Sequence, residues 1–63
     1  MTYLDSSAIL AVDYNPWSMD MTIQFTSGGS YTFHGVPESV FQGIITASSP
    51  GTYYNQNIRG RYR

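Results

Sequence analysis

Apolar and polar side chains alternate without a break from Met19 to Thr26 (MDMTIQFT). Met19, Met21, Ile23 and Phe25 point one way, and Asp20, Thr22, Gln24 and Thr26 the other. A period of two marks a strand with one buried face. Upstream, SAILAVDY from Ser7 to Tyr14 is rich in apolar and branched residues and stops at Asn15-Pro16, a turn dipeptide, so it predicts the preceding strand. Downstream, SGGS at 27–30 supplies glycines for the positive backbone angles of a hairpin turn. YTFHGV then continues as another strand, with Tyr31 and Phe33 on one face and Thr32 and His34 on the other. The pattern predicts a three-stranded antiparallel meander with one apolar face.

After Gly35 the period changes. Val36, Val40, Phe41, Ile44 and Ile45 recur at helical spacing, with Pro37 in a first turn that tolerates proline and Glu38 suited to the positive end of the helix dipole. A helix over residues 37–47 therefore covers the apolar face of the sheet. Ser49 is a good N-cap with Pro50 behind it, so PGTYYNQNI opens a second, short helix carrying Tyr53, Tyr54 and Ile58. In an extended tail, RGRYR sets Arg59, Arg61 and Arg63 on one side and Tyr62 on the other, against the body. The expected fold is α+β, with strands followed by two helices in the order βββαα, in a single domain spanning residues 1–63.

Composition adds a partner to this picture. A chain of 63 residues removes only about 60% of its unfolded surface from water, which makes its own core marginal. There are no cysteines to form disulfides and a single histidine, too few for a structural metal. Charged residues make up only 11% of the chain, less than a solitary small domain usually carries. Self-association is the expected remedy. The net charge of −1, with three arginines and no lysine, disfavours tight binding to long nucleic acid, which rests on many phosphate contacts. No apolar run is long enough to span a bilayer, and Met1 to Leu10 lacks the basic start of a signal peptide. A cytoplasmic location with no membrane partner is the expectation.

Three stretches, SSAILAVDYNP, GGSYTFHGVP and ASSPGTYYNQNIRGRY, together resemble the KTSC domain, a short family named for the carboxyl end of some lysyl-tRNA synthetases and also found alone in bacterial and phage proteins. The closing pattern of the family is carried here by Ser49, Gly51, Tyr53, Tyr54, Asn55, Ile58, Arg59 and Tyr62. The central aromatic pair falls on Tyr31 and Phe33, with phenylalanine in place of the usual second tyrosine. Asp13-Tyr14-Asn15 stands where the family tends to have Gly-Tyr-Asp. The resemblance implies little about function beyond an RNA-binding role suggested by the synthetase association.

The residues themselves point to binding rather than catalysis. No serine sits in a nucleophile elbow, and His34 has no positioned partner in the sequence. Asp5, Asp13, Asp20, Glu38 and His34 show no metal-ligand spacing, and no cofactor is expected. A phosphate seat is expected instead at Ser48, Ser49 and Gly51, where a helix begins with free backbone N–H groups. Arg59 and Arg61 offer planar guanidinium forks for phosphate, and Tyr53, Tyr54 or Trp17 offer rings to stack on a base. The leading expectation is a non-enzymatic homo-oligomer that sequesters or senses a nucleotide or cyclic nucleotide in pockets between subunits. Two alternatives stand beside it: a module for single-stranded RNA, and an adaptor that docks another protein.

Overall fold

The computed structural model describes residues 2–62. Four antiparallel strands form one sheet in chain order: β1 (Thr2–Tyr3), β2 (Ile9–Asn15), β3 (Asp20–Phe25) and β4 (Ser30–Phe33). Two helices follow, α1 (Glu38–Thr46) and α2 (Pro50–Asn57). The α+β class and the helix pair are as expected, but the sheet has four strands rather than three. β1 is too short to show a period. It is held by pairing Thr2 with Val12 and Tyr3 with Ala11, and by a hydrogen bond of 2.9 Å from the Leu4 N–H to the Leu10 carbonyl.

β2 carries an irregularity that its composition hides. Ile9 pairs with Phe25 but Ala11 pairs with Gln24, so Leu10 is an extra residue, a β-bulge. The bulge shifts the side-chain alternation by one position. Ile9 and Val12 are both buried in the main apolar cluster, while Leu10 and Asp13 are exposed. Without it, Ile9 and Asp13 would share a face.

Asn15 organises the turn into β3. Its side-chain Oδ1 accepts from the Trp17 N–H at 3.0 Å, and its carbonyl accepts from the Met19 N–H at 2.8 Å. Met19, expected within the strand, instead ends the turn with φ of 60°, a left-handed conformation that few side chains adopt without cost. Trp17 stands at the tip of this hairpin, 95% exposed.

Both helices cover one side of the sheet. Pro37 is extended and precedes α1 instead of lying in its first turn. Val36 and Ile44 are buried, and the Tyr14 ring stacks on Phe41 at 5.1 Å while its hydroxyl donates to the Val36 carbonyl at 2.6 Å. Burial, with a smaller contribution from the Glu38 charge, pushes the Tyr14 phenol above its ordinary value. α2 starts as expected, with Ser49 as its cap and Pro50 in the first turn. Tyr54 points down from it, meeting Phe25 at 5.2 Å and Phe33 at 6.0 Å edge-on. Buried Ile58 closes the helix.

The tail is not extended. The Ile58 and Arg59 N–H groups both donate to the Tyr54 carbonyl, the Arg61 N–H donates back to Ile58, and Gly60 takes φ of 81°. These turns remove the alternation that sets the arginines on one side. Tyr62 does pack on the core. Arg63 lies outside the described residues.

Candidate functional site

The first turn of α2 is the start of the site. Pro50 has no N–H to satisfy, and the Ser49 Oγ accepts from the Thr52 N–H at 3.4 Å while donating to the Thr52 Oγ1 at 2.9 Å. This is the side-chain capping that Ser-Pro invites. From Ser49 the helical period carries Thr52, Tyr53 and Gln56 onto one face. With Ala47 and Ser48 they line a shallow pocket of about 240 Å³. Its walls present hydroxyls and one carboxamide and contain no carboxylate.

Tyr53 stands in that wall because α1 lets it. A Cβ placed on Gly43 would fall inside the Tyr53 phenol, with the ring Cε2 at 2.8 Å. The glycine therefore admits the ring against α1. The Asn57 side chain braces the same turn by donating to the Tyr53 carbonyl at 3.2 Å.

The structure thus brings together Ser48, Ser49 and Tyr53 and adds Thr52 and Gln56. The added pair was readable as i+3 and i+7 from the cap. Other expected site residues fall elsewhere. Gly51 is pressed towards the residue just before β2, where an added Cβ would lie 3.1 Å from that of Ala8. Tyr54 is engaged with Phe25 and Phe33 in the core, and Trp17 is at the hairpin tip. Arg59 and Arg61 follow the far end of α2, a helix of eight residues and so about 12 Å long. The Arg59 guanidinium donates to the Asn55 Oδ1 at 3.4 Å, one turn back. Within one chain the length of α2 separates the arginines from the serines.

A second polar cluster lies on the uncovered side of the sheet. His34 Nδ1 and Asp20 Oδ1 are 2.7 Å apart, so His34 does have a positioned partner, which the pairing of β3 with β4 supplies. That hydrogen bond, followed by one from Ser18, holds the Asp20 carboxyl below its ordinary range against the opposing effect of burial. The next hydroxyl along β4, Thr32 Oγ1, is 2.9 Å from Thr22 Oγ1 and already hydrogen-bonded to it. Among the described residues no group of histidine and carboxylate side chains could hold a metal ion. No helix among them is long and apolar enough to cross a membrane.

Fold and site together define a small α+β domain: a four-stranded antiparallel meander with two helices on one face and a polar pocket at the start of the second. Its chain belongs to the KTSC domain family, whose model matches residues 5–62. A protein of Tsukamurella paurometabola is 35% identical over 63 residues, covering 100% of this chain and 94% of the relative. A lysine–tRNA ligase of Nostoc punctiforme is 32% identical over 59 residues, 94% of this chain but only 10% of the ligase. The crystal structure of a KTSC domain protein from Yersinia pestis superposes with a TM-score of 0.94 at 34% identity, covering 98% of this chain and 87% of that one.

Proposed function

We propose that this protein is a non-enzymatic, cytoplasmic binding domain for a small phosphate-bearing ligand, a nucleotide or cyclic nucleotide, which it sequesters or senses as a homo-oligomer. The observation that carries the reading is the pocket at the start of α2, where Ser48, Ser49, Thr52, Tyr53 and Gln56 converge without a carboxylate. Hydroxyls and a helix N-terminus suit a phosphate, and the Tyr53 ring and Gln56 amide suit a base. Because α2 separates them within one chain, Arg59 and Arg61 reach this ligand from a second copy. A few charges suffice for a ligand with few phosphates.

The test is calorimetric titration of the wild type and Ser48→Asp with a panel of mononucleotides and cyclic nucleotides. An acidic residue beside the start of α2 favours the helix dipole but repels phosphate, so the variant stays folded and loses affinity at least tenfold. Equal affinity in the two proteins, or no binding of any nucleotide by the wild type, overturns the reading.

A second reading, an RNA module, is favoured by Trp17 and Tyr3, which are 95% and 72% exposed, and by the domain's presence in lysine–tRNA ligases. Salt separates the two. RNA affinity resting on many phosphate contacts falls by orders of magnitude from low to moderate salt, and binding of a small ligand by two arginines falls far less.

A further inference from the structure

β4 forms one edge of the sheet, and its backbone groups without a partner among the described residues can be identified from the hydrogen-bond pattern. The Phe25 N–H donates to the Gly29 carbonyl at 2.8 Å. Hydrogen-bonded and non-hydrogen-bonded pairs alternate along an antiparallel ladder. Ile23–Tyr31 and Met21–Phe33 are therefore hydrogen-bonded pairs, and Gln24–Ser30 and Thr22–Thr32 are not. The close approach of the Thr22 and Thr32 hydroxyls, 2.9 Å, agrees, because side chains come nearest in non-hydrogen-bonded pairs. The N–H and C=O groups of Ser30 and Thr32 consequently point away from β3.

Apart from its shortness, four residues, nothing in the strand guards this edge. Ser30-Tyr31-Thr32-Phe33 contains no charge and no proline, its register with β3 is regular, and Tyr31 is 63% exposed. Exposed edges ordinarily carry a lysine, a proline or a bulge that blocks pairing with another chain. β1, at the opposite edge, is only two residues long.

We infer that β4 is a dimerisation edge, pairing antiparallel with β4 of a second copy about a two-fold axis through Tyr31. This deepens the self-association in the reading above and rests on that part of it, not on the ligand. The arrangement is self-complementary: Ser30 of each copy exchanges both backbone hydrogen bonds with Thr32 of the other. Tyr31 then meets Tyr31 as a non-hydrogen-bonded pair. Tyr31 shares the helix-covered face with Ile23 and already meets Phe25 edge-on at 5.8 Å, so the symmetric pair extends one row of rings across the junction. Both sets of helices lie on the same side of the joined sheet.

The register makes a covalent prediction. The chain has no cysteine, so Tyr31→Cys introduces a single thiol at the two-fold axis, where opposed Cα atoms are about 4.5 Å apart, within disulfide reach. Thr32→Cys places its thiols two positions out of register, beyond the roughly 7 Å limit for such a bond. Under mild oxidation without ligand, Tyr31→Cys converts to a covalent dimer at least tenfold faster than Thr32→Cys. Light scattering of the untagged wild type gives twice the 7.1 kDa chain mass, and Tyr31→Lys, which opposes two charges at the axis, gives the monomer. Hydrogen exchange in the wild type protects the Ser30 and Thr32 amides. A monomeric wild type, a dimer with freely exchanging Ser30 and Thr32 amides, or equal cross-linking of the two cysteine variants overturns the inference. These readouts need no nucleotide. Failure of ligand binding leaves them intact, and their failure leaves the titration with Ser48→Asp to stand alone.

Discussion

Gly43 shows how much one missing side chain can decide. In a helix interior, glycine is ordinarily about 1 kcal/mol worse than alanine, yet here the Tyr53 ring occupies the space a Cβ would take. Gly43→Ala therefore sets a gain in helix propensity against displacement of that ring, and overpacking of this kind costs about 1–3 kcal/mol. The expected result is a double-mutant cycle with a change of sign. Gly43→Ala destabilises the wild type and stabilises the Tyr53→Ala protein, as read from urea midpoints. The same effect in both backgrounds would show that the ring does not need the glycine. Asp20 gives a pH dependence. Its folded pKa lies below the ordinary value because His34 and Ser18 hydrogen-bond its charged form. Its contribution is complete above about pH 3.9, the value for an unperturbed aspartate, and is lost as pH falls through the lower folded pKa. Between pH 5 and the acid limit, Asp20→Asn should lose less stability than the wild type, although it starts lower. Parallel acid limbs in the two proteins would remove Asp20 from the account.

Elements differ in how openly the sequence announces them. β3 and α2 were legible because each carries its own rule: strict alternation in one, and a Ser-Pro start in the other. Ser49 as the cap is the finer point, and Ser49→Ala should cost about 1 kcal/mol, measurable as a lower melting temperature. An unchanged melting temperature would mean that solvent caps the Thr52 N–H equally well, which its long 3.4 Å bond makes the sharpest challenge. β1 could not be seen, since two residues have no period and its pairing is decided by the partner strand. Nor could the bulge at Leu10, because ILAV is apolar in either register and only the pairing with β3 picks one. The tail misled for a related reason. Alternation of arginines looks like an extended chain, but Gly60 permits the turn that Tyr62 needs to reach the core. The Asp20–His34 pair was hidden until the hairpin register joined two positions fourteen apart.

For the whole molecule, a sheet covered on only one side explains much of the composition. Most of the buried apolar residues are drawn into a single cluster between sheet and helices, and the opposite face keeps threonine, glutamine and the Asp20–His34 pair. The candidate pocket occupies neither layer. It lies at the beginning of the last helix, and its membership was half legible: the capping serines were visible from local chemistry, and Thr52 and Gln56 follow once the helix is drawn. What sequence spacing could not tell was distance in three dimensions, which separates Arg59 and Arg61 from those serines by the length of α2.

The position of Trp17 has an optical consequence. It is the chain's single tryptophan, and at 95% exposure it is nearly as wet in the folded state as in an unfolded chain. Its emission maximum should therefore barely move during denaturation, while near-ultraviolet circular dichroism from the packed tyrosines and phenylalanines collapses. A fluorophore silent to folding is a clean reporter of company: a blue shift on mixing means that something has covered the hairpin tip. A large red shift on unfolding the isolated protein would instead show that the indole is sheltered in solution, by a second copy or by the sheet itself.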